Sequence, residues 1–282
     1  MTKIAQMTCG VLLAALIGST PAFGLQNAQK PQKPKKPKKA QKELKASSAV
    51  TDTAVTQALA QLAAWQNQAA RETLEGAKAT LGTTPEYQTA WALLEFQEGN
   101  GTDATLAKKG FDTLNQAARK QNSDPMTLYY QGEVLYLQQK NNEAAAAWQT
   151  AAERAAKVVA KDEQNAVAQF YLGAALVRQK NFNEAMTALR AAEALGFPKA
   201  MVKYQIGFIY LFQQKWQEAK DAFDLGLEAD PRYAPMYFWR GMAWDKLGRK
   251  DNMLLDLDQY VKLAPNGPEA GKARAILKSA GG

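Results

Sequence analysis

From about Thr51 onward, apolar residues recur at intervals of three and four, many of them alanine, and no stretch alternates apolar with polar. That rhythm predicts helices throughout and no strands. Three glycines, Gly173, Gly207 and Gly241, stand 34 residues apart at both steps. Other features recur in phase with them. Ala185 and Ala219 follow the first two glycines by twelve residues, and Leu189, Phe223 and Leu257 follow all three by sixteen. Ala192 and Gly226 come at nineteen, and Pro198, Pro231 and Pro265 close the three units. An earlier unit carries Gly132, Ala144, Trp148 and Ala151 at the same internal offsets, but Gly132 lies 41 residues before Gly173. Seven extra residues are two helical turns, so its second helix is expected to run on through Lys157 to Lys161.

The spacing has a physical cause. Two helices crossing with axes about 8–10 Å apart need small side chains at the crossing, which Gly173 with Ala185 and Gly207 with Ala219 supply. Leu189 and Phe223 are expected to fill the space between successive units. Asp230 before Pro231 stops a helix, because a residue preceding proline avoids helical geometry.

The runs FYLGAALVRQKNFNEAMTALRAAEAL, YQIGFIYLFQQKWQEAKDAFDLGLEADP and YFWRGMAWDKLGRKDNMLLDLDQYVKLAP resemble the tetratricopeptide repeat family. The resemblance implies an all-α, right-handed solenoid of helix-turn-helix units. Four units are expected over 125–265, at about 125–165, 166–199, 200–233 and 234–265, followed by a capping helix within 266–282. The last unit departs from the pattern, with Met253 and Tyr260 where small residues are expected and Arg240 at an apolar position.

Upstream, over 48–124, the pattern degrades. Glu86 to Glu98 has helical spacing through Trp91 and Leu94 and ends at Gly99-Asn100-Gly101. Thr102 or Asp103 then caps a helix reaching about Lys120. Asp52 to Leu81 reads as a further pair turning near Gln66 and Asn67, or as one long helix.

Charge changes the picture at one end only. The formal net charge is +8, yet from Ala46 onward 26 basic residues face 26 acidic ones. The surplus sits in the low-complexity Lys30–Lys45 stretch, within a linker spanning 25–47 and expected to lack a fold. Its prolines and mutually repelling lysines favour an extended chain, either a spacer or an adhesive segment for an anionic surface. Nucleic acid is not expected as a partner. Before it, Lys3, the apolar run Gly10 to Gly18 and the small residues ending at Gly24 read as a secretory leader over 1–24, too short to span a membrane. A periplasmic or secreted location follows. Cys9, the only cysteine, lies inside this leader, and Gln6 and Thr8 do not suit lipid attachment.

Candidate chemistry is sparse. The chain has no histidine, and a processed chain would have no thiol, so the usual general base, nucleophile and zinc ligands are missing. No catalytic residue, cofactor or metal is assigned. The Gly99-Asn100-Gly101 turn follows no strand and is followed by no Gly-Lys-Ser or Gly-Lys-Thr, so it reads as a turn. Asp256 and Asp258 point to different sides of a helix and read as solvated.

In the resembled family the first helix of each unit lines a concave groove that holds a peptide or a partner's helix. Carried onto this chain, that places Tyr129, Phe170, Tyr204 and Phe238 at one equivalent position. Phe208 and Met242 follow one turn later, then Tyr136, Val177 and Leu211. Arg178, Phe212 and Lys246 stand at the far edge. Aromatic side chains edged by cations suit a protein-binding groove, and the same residues also suit packing between repeats. Lysine and asparagine clamps for acidic tails are not present at these positions. The implied role is an exported scaffold or adaptor for a protein partner. The alternative is an envelope structural protein tethered by its basic tail, with self-associating repeats.

Overall fold

The computed structural model describes residues 54–120 and 123–280, and the expected leader and lysine–proline linker lie outside them. Among the described residues there is no strand, and thirteen helices follow one another. They are α1 (54–63), α2 (Asn67–Leu81), α3 (Pro85–Gly99), α4 (Ala104–Ala118), α5 (Pro125–Leu137), α6 (Asn141–Val159), α7 (Ala166–Arg178), α8 (Phe182–Ala194), α9 (Lys199–Phe212), α10 (Trp216–Ala229), α11 (Ala234–Lys246), α12 (Lys250–Leu263) and α13 (Ala270–Ala280). Each odd helix up to α11 pairs with the next as an antiparallel hairpin, and α13 covers the last. Helix α6 runs for 19 residues against 13 in α8 and takes up most of the added length of its unit.

The hairpins share one turn. A single residue in left-handed backbone geometry ends each first helix: Trp65, Gly101, Gln139, Lys180, Gln214 and Gly248. In five of the six, the next N–H bonds back to the carbonyl five residues earlier, as Lys140 does to Leu135 and Lys215 to Tyr210, both at 2.9 Å. The stretch from 54 to 81 is therefore a hairpin of the same construction, turning at Trp65, and not one long helix.

Within a hairpin the glycine faces the bulky residue sixteen positions on. A methyl group on Gly207 would lie 2.3 Å from the Phe223 ring, on Gly173 2.7 Å from Leu189, and on Gly132 2.4 Å from Trp148. Leu189 and Phe223 thus close their own hairpins instead of filling the space between units. The small residue is opposite because the large one occupies the crossing.

The second helices have one buried stripe, as in α10, where Ala219, Ala222, Phe223, Gly226 and Leu227 are buried and Gln217, Glu218, Asp221 and Leu225 are exposed. The first helices differ. Five consecutive residues are buried in α9 (Gln205–Ile209) and six in α3 (Ala92–Gln97), which covers every side of a helix. Burial on all sides, of Glu95, Gln97 and Gln205 as well as the apolar residues, means that their inner flank does not face water.

One sequence expectation needs correcting here. Asp256 is buried, and both its carboxylate oxygens accept from Arg240, at 2.8 and 2.6 Å. Arg240 also donates to Asp224 at 2.7 Å, tying α10, α11 and α12 together. Only Asp258 lies on the solvated face, paired with Lys262.

Candidate functional site: the inner face and its rim

The first helices line the inner face, and their aromatic residues converge there. Tyr129 of α5 accepts a hydrogen bond from Gln205 Nε2 of α9 at 3.1 Å, so helices two units apart meet across it. The ring of Tyr171 lies 5.7 Å from that of Tyr129 and 5.9 Å from that of Tyr130. Tyr204 lies 5.1 Å from Tyr233. Burial pushes the hydroxyls of Tyr129, Tyr130, Tyr171, Tyr204 and Tyr233 above the ordinary phenol range, so the cluster is uncharged.

This convergence divides the residues singled out from the sequence. Tyr129, Phe170, Val177, Phe208, Leu211 and Phe238 are buried and offer little or nothing to a partner. Phe170 stacks on Phe197 at 4.2 Å, and Phe238 lies between Trp239 and Tyr260. They are core residues because the stack curls tightly enough for α5 and α9 to touch. Tyr136, Arg178, Tyr204, Phe212 and Met242 remain partly accessible, and Lys246 is half exposed. The signal for this division was present in the chain. FYLGAALV in α7 and YQIGFIYLF in α9 are apolar all round, which marks a helix buried on more than one side.

From the C-terminal halves of α5, α7 and α9 to the middle of α11, several of the accessible residues join a ladder of rings with Trp148 of α6 and Phe182 of α8. Tyr136 lies 5.8 Å from Trp148, and the Arg178 guanidinium sits 5.7 Å from Trp148 and 5.3 Å from Phe208. Phe208 continues to Trp239 at 4.9 Å and to Phe212 at 6.2 Å, and Phe212 stacks on Phe182 at 5.7 Å. The ladder thus runs from α5 to α11. Tyr136, Arg178, Phe182, Phe212 and Trp239 are its accessible members. The sequence comparison of first-helix positions missed Trp148 and Phe182, which belong to the second helices α6 and α8, and Trp239, which lies one residue beyond Phe238.

Arg178 is not a free cation. Its Nε and a terminal nitrogen donate to both oxygens of Glu133, at 2.7 and 2.6 Å. Burial alone would lower its pKa, but Glu133 overrides that and holds it above its ordinary value. A neutralised guanidinium between two rings offers a flat, apolar surface with little net charge. It does not suit an acidic tail.

The first hairpin reaches this face from the other end. The Leu62 carbonyl accepts from Gln97 Nε2 of α3 at 3.2 Å, and the Ala64 carbonyl accepts from the Ala234 N–H of α11 at 3.3 Å. Gln66 donates to Asp230 at 2.9 Å and accepts from Arg232 at 2.8 Å. The Trp65 ring packs against the cluster that holds Phe238 and Tyr260.

Residues 204–268 match the family model described as tetratricopeptide repeat, and residues 145–224 match the model for subunit 3 of the anaphase-promoting complex, or cyclosome. No curated protein matches the chain. Among solved structures, the chain is similar to TTC0263, a thermophilic TPR protein in Thermus thermophilus, at 18% identity over 67% of this chain and 98% of that one, with a TM-score of 0.46. It is similar to the APC/C hetero-tetramer Cut9-Hcn1 at 16% identity, over 82% of this chain and 42% of that one, with a TM-score of 0.47. MamA from Desulfovibrio magneticus RS-1 is similar at 18% identity, over 63% of this chain and 96% of that one, with a TM-score of 0.40.

Proposed function

We propose that this chain, which carries tetratricopeptide repeats, a fold typical of protein–protein interaction scaffolds, is an adaptor whose partner docks on the aromatic rim of the inner face. The ladder from Tyr136 to Trp239 is the observation that carries this reading. Aromatic rings with an arginine among them, partly exposed and already held in place, are the usual anchors of a binding surface. Their rigidity limits the ordering cost of association. Because Glu133 neutralises Arg178, the favoured partner offers aliphatic or aromatic side chains and not a carboxylate tail. Lys246 and Asp245, both partly solvated at the end of α11, give the rim a polar border.

Export belongs to the same proposal and rests on the apolar Gly10 to Gly18 run, with the partner placed in an envelope assembly. The Lys30–Lys45 stretch would serve it as a spacer or as a contact to an anionic surface.

Photo-crosslinking in intact cells tests the rim. A benzoylphenylalanine in place of Phe212 or Tyr136 should give a discrete adduct with one protein. The same group in place of Leu255, which is 70% exposed on α12, should not. Adducts of equal yield from both places, or from neither, would remove the rim as the docking surface.

A further inference from the structure

The inner face is bridged by a part of the same chain, since the end of α1 and its turn bond to α3 and α11, two of the first helices that line it. Helix α1 is the first described helix of the stack, where an end helix would ordinarily keep one flank in water. Yet of residues 54–63 only Gln57 is exposed. Val55, Ala58, Leu59 and Leu62 are buried, at positions i, i+3, i+4 and i+7. That spacing is how a helix anchors itself in a groove. These four residues belong to the main apolar cluster of the stack. The turn after α1 spans from α3 to α11, through Leu62 to Gln97 and Ala64 to Ala234, with sequence separations of 35 and 170 residues.

Two kinds of contact hold that turn: the Leu62–Gln97 and Ala64–Ala234 bonds join buried groups, and the Gln66 bonds lie where water reaches them. The Gln66–Arg232 bond is exposed and the Gln66–Asp230 bond is only partly buried, so water can replace either partner. Trp65 stands at φ +61°, a left-handed conformation that a bulky side chain adopts at a cost. On its C-terminal side α1 joins α2 through this turn and through the Thr73 hydroxyl, which donates to Gln61 Oε1 at 2.9 Å, while α2 is bound to α3 by the Tyr87 hydroxyl, which donates to the Leu74 carbonyl at 3.1 Å.

We propose that α1 is a resident ligand of the inner face, and that the partner contributes an amphipathic helix with aliphatic anchors in the same i, i+3, i+4, i+7 spacing, seated when α1 leaves. This rests on the adaptor reading and names the partner's chemistry. A helix with this pattern competes directly with α1. One lacking the anchors cannot.

The test uses the full chain with Cys9→Ser and a labelled synthetic peptide of residues 52–81 as probe. One form carries Gln66→Cys and Arg232→Cys joined by a short bismaleimide, which fixes the turn against α11. A second carries Trp65→Gly with Gln66→Ala; glycine accepts the positive φ, so the turn keeps its shape while losing its hold. The loosened chain should bind the peptide about ten-fold more tightly than the unmodified one, as expected when a closed state holds most of the population. The cross-linked chain should not bind it. A peptide with Val55, Leu59 and Leu62 replaced by serine should bind none of the three. Circular dichroism of each form confirms that it is folded. Equal binding by the cross-linked and loosened chains, or no binding by a folded loosened chain, overturns the proposal. The two failures read differently, since the adaptor reading falls on the loss of the in-cell adducts whatever the peptide does.

Discussion

The hairpins α9–α10 and α11–α12 share the same turn and nearly the same length, and they are held shut in opposite ways. In the first, Gly207 lies under the Phe223 ring, and the crossing is closed by one large apolar side chain against none. In the second, a methyl on Gly241 would have its nearest neighbours at 3.4 Å, the Cβ of Asp256 and the Met253 carbonyl. Leu257 stands where Phe223 stood but is smaller, and the helices are joined by Arg240 across Asp224 and Asp256. Shape closes the inner hairpin and charge the outer one. The difference teaches that a repeat period fixes where helices meet, while the means of holding them is free to change from unit to unit.

The largest effect is expected from breaking the charged crossing on one side only. Arg240→Met leaves the buried Asp256 carboxylate without its two hydrogen bonds, while Asp224 keeps Lys220 at 2.8 Å. Uncompensated burial of a carboxylate costs about 3–5 kcal/mol, to be read from urea unfolding. Adding Asp256→Leu to the same chain should restore most of that loss, since an apolar pair of similar volume replaces an ion pair nearly neutrally. If the single variant loses less than the double one, the cluster does not hold the outer hairpin.

The apolar crossing should respond less, and in the opposite manner to removal of bulk. Gly207→Ala places a methyl within 2.3 Å of a Phe223 ring that has no exposed surface and nowhere to retreat. Overpacking of this kind costs about 1–3 kcal/mol. Combining it with Phe223→Leu should cost less than the two changes summed, because the leucine vacates part of the methyl's space. Simple additivity would show that the ring is not what the glycine accommodates.

How much of this was legible beforehand differs between the two halves of each hairpin. The 34-residue spacing of Gly173, Gly207 and Gly241 located the helix pairs, because small residues are needed wherever two axes approach closely. The turns were less visible: Trp65, Gln139, Lys180 and Gln214 adopt left-handed geometry without being glycine, held by the bonds that cap the preceding helix. The rim was half legible. Register placed Tyr136, Arg178 and Phe212 at matching edges, but not Trp148 or Trp239, which join them only through tertiary packing. What register could not supply was the degree of curl. Whether Tyr129 faces a groove or Gln205 of α9 depends on the angle between units, and that angle is set by many contacts outside the repeated positions. The buried Asp256 was hidden for a similar reason. A D-x-D on a helix looks solvated until Arg240, at an apolar position one helix earlier, is recognised as its partner.

The smallest effect has the opposite sign, which makes it the sharpest test of the comparison. Glycine inside a helix loses about 0.5–1 kcal/mol relative to alanine, because its unfolded backbone has more freedom to give up. At Gly207 that gain is overwhelmed by the Phe223 ring. At Gly241 there is ordinary contact distance on every side, so Gly241→Ala should keep the gain and stabilise the chain by about 0.5 kcal/mol. The urea midpoint should rise with the slope unchanged, since no additional surface is exposed on unfolding. A fall of the midpoint would mean that α11 and α12 are closed by fit as tightly as α9 and α10, and that the ion cluster was added to a crossing that did not need it.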